Sequence, residues 1–147
     1  MKRFLIILSL FISINAHAKV HDEQLRFKEI ISDADEVRIR TGGECHRDKI
    51  NEVYLLESKS GRDIFTVAGT FQFKIVPIDL SKLDVSCLCC GTHTVEFYSK
   101  KEKIISFSIH HDSHIRCKSL NSGRDIHLTQ ESINAWKNLC ETITKEF

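Results

Sequence analysis

His93-Thr94-Val95-Glu96-Phe97-Tyr98 and Ile104-Ile105-Ser106-Phe107-Ser108-Ile109-His110 are alternating apolar and polar runs, joined by the polar stretch Ser99-Lys100-Lys101-Glu102-Lys103. Alternation with period two is the mark of a half-buried strand, and a short polar link makes two such runs an antiparallel hairpin. Pairing them through the link sets Phe97 opposite Ile105, Val95 opposite Phe107 and His93 opposite Ile109. One face of this hairpin is therefore apolar and wants a covering layer.

The chain extends that unit in both directions. Val85 to Cys90 is expected as a preceding strand of the same meander. Val37 and Ile39 alternate with Glu36, Arg38 and Arg40 before a Gly42-Gly43 loop. Val53 to Glu57 and Ile64 to Val67 flank Ser58 to Asp63, which has the composition of a hairpin turn. Phe71, Phe73 and Ile75 form a further alternating run, closed by Pro77. Phe27, Ile30, Ile31 and Ala34 fall at i, i+3, i+4 and i+7, which predicts a first helix over residues 21–34. Ile133, Trp136, Cys140 and Ile143, with Leu139 beside them, define a second helix at the C-terminus. Thr129 is its expected N-cap, Glu131 suits its first turn, and Trp136 should anchor it on the sheet. The fold class is α+β: a mostly antiparallel sheet of six or seven strands flanked by an N-terminal and a C-terminal helix. Ser60-Gly61-Arg62-Asp63-Ile64 recurs as Ser122-Gly123-Arg124-Asp125-Ile126, which reads as two similar turns.

The first 18 residues have the character of an address. Lys2 and Arg3 precede an apolar run from Phe4 to Ile14, and Ala16-His17-Ala18 offers small residues for cleavage. We expect residues 1–18 to be a signal peptide and 19–147 to be a single exported domain, periplasmic or secreted. Without Lys2 and Arg3 the formal net charge moves from +1 to −1. That balance offers no electrostatic case for nucleic acid or an anionic membrane as partner, and no later stretch is apolar enough to span a bilayer.

All six cysteines fall within 19–147, and an even count in an exported chain predicts disulfide bonds. The unusual segments are Cys87-Leu88-Cys89-Cys90-Gly91-Thr92-His93 and His110-His111-Asp112-Ser113-His114. In an antiparallel meander they meet at one sheet edge. If Cys90-Gly91-Thr92 is a three-residue loop, with Gly91 left-handed, then Cys87, Cys89, His93 and His111 share a face. If only Gly91 and Thr92 form the loop, Cys87 and Cys89 turn away. Thiolate and imidazole together suit Zn or Cu, so Cys87, Cys89, His93, His110 and His111 are the candidate metal ligands. Cys45 and His46 join them if the Gly42-Gly43 loop folds over that edge. A third reading pairs Cys89 or Cys90 as a nucleophile with His93 or His111 as its base, although no residue is evident in sequence to orient the base. G-x-S-x-G, P-loop, H-E-x-x-H and EF-hand patterns are absent. The expected function is a disulfide-stapled binding protein of the bacterial envelope, engaging a protein or envelope component. A periplasmic Cys/His metal-binding protein is the alternative, and catalysis the least favoured.

Overall fold

A computed structural model describes residues 20–43, 53–74 and 89–145. The expected signal segment lies outside them, as do Cys45, His46, Ile75, Pro77 and most of the expected strand from Val85 to Cys90. Cys89 and Cys90 are described and are not in a strand.

The elements in chain order are α1 (20–31), β1 (Glu36–Thr41), β2 (Tyr54–Ser58), α2 (Gly61–Thr70), β3 (His93–Ser99), β4 (Glu102–His110), β5 (His114–Arg116), β6 (Asp125–His127) and α3 (Gln130–Lys145). The strands form one antiparallel sheet in the order β2-β1-β3-β4-β5-β6. The fold is α+β, with helices from both ends of the chain packed on the sheet.

The β3–β4 hairpin has the expected register: Phe97 faces Ile105, Val95 faces Phe107 and His93 faces Ile109. Its turn is only Lys100 and Lys101, both left-handed at φ 51° and 73°. Such a two-residue turn matches the twist of the strands it joins. One irregularity interrupts the ladder. Phe97 pairs with Ile105 but Tyr98 pairs with Lys103, leaving Ile104 as the extra residue of a bulge.

The helices cover one face. Val37, Ile39, Val95, Phe97, Phe107, Ile109, Ile115 and Ile126 point from the sheet into a single core with residues from all three helices. Phe27 of α1 meets the rings of Phe73, Phe97 and Phe107 at 5.8–6.1 Å. Trp136 of α3 is buried against Phe71. Thr129 caps α3 as expected, its Oγ1 accepting from the Ser132 backbone N–H at 3.1 Å.

Ile64 to Val67 is helix, not strand. Ile64, Val67 and Thr70 are buried on one side of α2, and Ala68 packs against the core. The apolar positions 64, 67, 68 and 71 fit a period of 3.6 rather than two. Asp63 in the first turn accepts from Ser58 Oγ at 2.6 Å. The two Ser-Gly-Arg-Asp-Ile copies therefore differ: the first opens α2, the second passes through left-handed Ser122 and Gly123 into β6. Strands β5 and β6, three residues each, complete the sheet where no strand was expected.

Candidate functional site: a thiol between two imidazoles

The opposite sheet face is polar. Alternation places Thr94 and Glu96 of β3, Ser108 and His110 of β4, His114 and Arg116 of β5, and Asp125 and His127 of β6 there. Ser108 and His110 are nevertheless buried. At the His110 end of β4 the segment 89–92 folds across the sheet. Thr92 N donates to the Ile109 carbonyl at 2.8 Å, and Gly42 N to the Thr92 carbonyl at 2.8 Å.

Two glycines permit this approach. Gly91 is left-handed at φ +86°, as expected, and a Cβ on it would lie 2.7 Å from the Ile109 carbonyl oxygen and 3.3 Å from His110 Nε2. A Cβ on Gly43 would fall 1.3 Å from the Cys90 carbonyl oxygen. The Gly42-Gly43 loop thus does close on the edge that carries Cys90.

Cys89 Sγ lies 3.1 Å from His110 Nδ1 and 3.5 Å from His111 Nε2. On the far side of the ring, His110 Nε2 is 2.7 Å from Ser108 Oγ. Sulfur, imidazole and hydroxyl are in series. Burial holds His110 below its ordinary value of 6.5, and the positive charge of Arg116 pushes the same way. The imidazole is thereby kept neutral and able to accept a proton from the thiol. With that proton acceptor at Nδ1, Nε2–H donates to Ser108, which fixes the tautomer and the ring plane.

Arg116 positions the other half of the pair. Its guanidinium holds Asp125 through Nε at 2.7 Å and Nη2 at 3.0 Å, and its Nη1 donates to the Cys89 carbonyl at 3.4 Å. His111 and Asp112 follow β4 as consecutive left-handed residues at φ 50° and 52°. That turn breaks the strand alternation and swings His111 toward Cys89.

Of the five residues singled out in sequence, Cys89, His110 and His111 come together. His93 does not join them. It lies on the helix side, its ring 5.3 Å from that of Trp136, and burial lowers its pKa below 6.5. Cys87 lies outside the described residues. Among the described residues no three His, Cys, Asp or Glu side chains form a group that could hold a metal ion. Ser108, Arg116, His114 and His127 were not among the residues singled out. His110, His114 and His127 form a cross-strand row, and the His114 and His127 rings are 4.0 Å apart. The signal for Ser108 is its position two before His110 in a strand, which puts both on one face.

Cys89, Cys117 and Cys140 are thiols, which departs from the fully paired set that the even count predicts. Cys117 is buried in the core and Cys140 packs on it from α3, so both serve as small apolar residues. Burial pushes the Cys140 thiol up to about 12. Cys90 is disulfide-bonded. Among the described residues no helix is long and apolar enough to cross a membrane. No protein-family model, no curated protein and no solved structure matches this chain.

Proposed function

We propose that this chain is an exported thiol protein in which Cys89 exchanges with a disulfide of a partner protein. The observation that carries the reading is the series Cys89 Sγ, His110 and Ser108 at 3.1 and 2.7 Å. It supplies what a nucleophilic thiol needs: a base in contact, and a group that orients the base. His110 Nδ1 takes the Cys89 proton. The thiolate attacks one sulfur of the partner's disulfide, a new S–S bond forms, and the expelled thiolate takes the proton back from His110. No electrons are gained or lost overall. Exchange is favoured over acyl transfer because Arg116, a charged donor beside Cys89, is held by Asp125 and the Cys89 carbonyl. Acyl transfer would need such donors aimed at a developing oxyanion. The Cys90 disulfide next door is consistent with an oxidising compartment.

The test is the rate of alkylation by iodoacetamide, resolved by residue with peptide mass mapping. Cys89 should react well ahead of Cys140, and faster than a simple thiol of pKa about 8.5. His110→Gln should slow Cys89 by roughly tenfold or more, with Ser108→Ala intermediate. Uniform slow labelling, or a His110→Gln rate equal to wild type, would overturn the reading.

A second reading keeps the same side chains. Two imidazole nitrogens near one sulfur, with Ser108 behind one of them, are also suited to Zn or Cu(I), a ligand set that needs a further donor or a small closure around the ion. Native mass of the exported protein separates the two and reads cleavage after Ala18 as well. A stoichiometric metal ion lost in Cys89→Ser favours the metal, and metal-free protein with a reactive Cys89 favours exchange.

A further inference from the structure

Cys89 Sγ has two imidazole nitrogens within reach, His110 Nδ1 at 3.1 Å and His111 Nε2 at 3.5 Å. A thiol carries one proton and donates once. With that proton directed at His110 Nδ1, and Ser108 engaging the other nitrogen of that ring at 2.7 Å, the sulfur can only accept from His111. His111 Nε2 therefore carries a hydrogen. It does so in the neutral Nε2–H ring and in the imidazolium alike, so the contact does not depend on how His111 titrates. The two rings on one sulfur have opposite roles: His110 accepts from it and His111 donates to it.

The rings also differ in position. His110 is buried, Cys89 is half-buried and His111 is exposed. A partner's disulfide reaches Cys89 from the solvent side, and His111 stands on that side. The turn that holds it there closes through Ser113 N–H, which donates to the His110 carbonyl at 3.1 Å, with His111 and Asp112 both left-handed. Glycine adopts this backbone at no steric cost, whereas an imidazole side chain is strained in it. Backbone strain that aims a side chain at a reactive group is characteristic of functional positions. On the exchange reading above, we propose that His111 is a second catalytic residue, whose Nε2–H donates to the sulfur expelled from the partner's disulfide. As the bond from Cys89 forms and the partner's S–S bond breaks, the electron pair passes to the expelled sulfur. The donor on the solvent side of Cys89 meets that charge before the proton held by His110 arrives. His111 keeps its own proton throughout, so the balance of the step is unchanged. The substrate class follows: disulfides of ordinary cysteine, whose expelled thiolate is basic and gains most from a donor.

The rates at which Cys89 of the full chain reacts with dithiodipyridine and with glutathione disulfide, resolved by peptide mass mapping, test this. Dithiodipyridine expels a weakly basic thiolate that needs little help; glutathione disulfide expels a basic one. His111→Gly suits the left-handed turn and removes the donor. It should slow the glutathione disulfide reaction about tenfold relative to the dithiodipyridine reaction, the size of one hydrogen bond to a charged atom. The ratio of the two rates cancels any change in the reactivity of Cys89 itself. His110→Gln acts on the attacking sulfur and should slow both reactions alike. A rate ratio in His111→Gly equal to wild type overturns the proposal, and so does failure of Cys89 to react with either disulfide. The base is tested apart from the donor: a His110→Gln protein alkylated at the wild-type rate removes His110 as base, while a shifted ratio in His111→Gly upholds the donor.

Discussion

Gly91 shows how much of this site hangs on one absent methyl group. A Cβ there meets the Ile109 carbonyl, the Ser108 Cβ and the His110 ring at once, and the backbone is left-handed at φ +86°. The carbonyl belongs to a paired strand and cannot yield, so the 89–92 segment must lift away. Gly91→Ala should cost about 1–3 kcal/mol, from strain at a positive φ together with the clash. The same change should lengthen the Cys89–His110 contact. Urea unfolding reads the first effect and Cys89 alkylation the second. If only stability falls, the segment has moved as a unit with its partner ring. The need for a left-handed glycine was legible from the loop composition. Its role in the thiol contact was not, because that depends on β4 lying directly beneath it.

At the scale of elements, the readable ones repeat one period over enough residues to leave no choice. β3 alternates over its seven residues and β4 from Ile105 to His110, and their register there follows from the apolar face alone. α3 repeats through Ile133, Trp136 and Ile143, all buried. Its N-cap can be tested directly. Thr129→Ala removes the acceptor for the Ser132 N–H and should destabilise the protein by about 1 kcal/mol, with Thr129→Ser close to neutral in an unfolding titration. α2 was misread because Ile64 to Val67 is four residues long and contains β-branched side chains, a window that fits either period. Extending it to Ala68 and Phe71 resolves the choice. β5 and β6 carry three residues each and too little alternation to register; β4 supplies the edge that β5 pairs with, and β5 the edge for β6. The repeated Ser-Gly-Arg-Asp-Ile adopts two conformations because its neighbours decide: the first copy precedes the apolar face of α2, the second an open sheet edge.

For the molecule as a whole, the division of the sheet into an apolar and a polar face explains which histidines meet the thiol. His93 and His110 are close in the meander but differ in parity, so one meets Trp136 and the other Cys89. The sequence argument placed His93 on the apolar face by register and, with a three-residue loop, Cys89 beside it; the conformation at 90–92 instead brings Cys89 to His110. Both imidazoles are nonetheless held below 6.5, chiefly by burial. In the unfolded chain each would take a proton near pH 6.5; in the folded protein each resists it. Their contribution to stability is therefore complete above about pH 6.5 and is lost as pH falls through the lowered folded values. Each histidine can add a slope of up to about 1.4 kcal/mol per pH unit across its window. Urea midpoints measured from about pH 8 to pH 5 should fall on the acid side. His110→Gln and His93→Gln should each flatten that fall, and the double variant should flatten it most. The two residues sit on opposite faces without a shared partner among the described residues, so their effects should add. A midpoint that stays level through this range would mean that the rings open to water before they titrate. The buried state of His110, on which the Cys89 pair depends, would then not persist in solution.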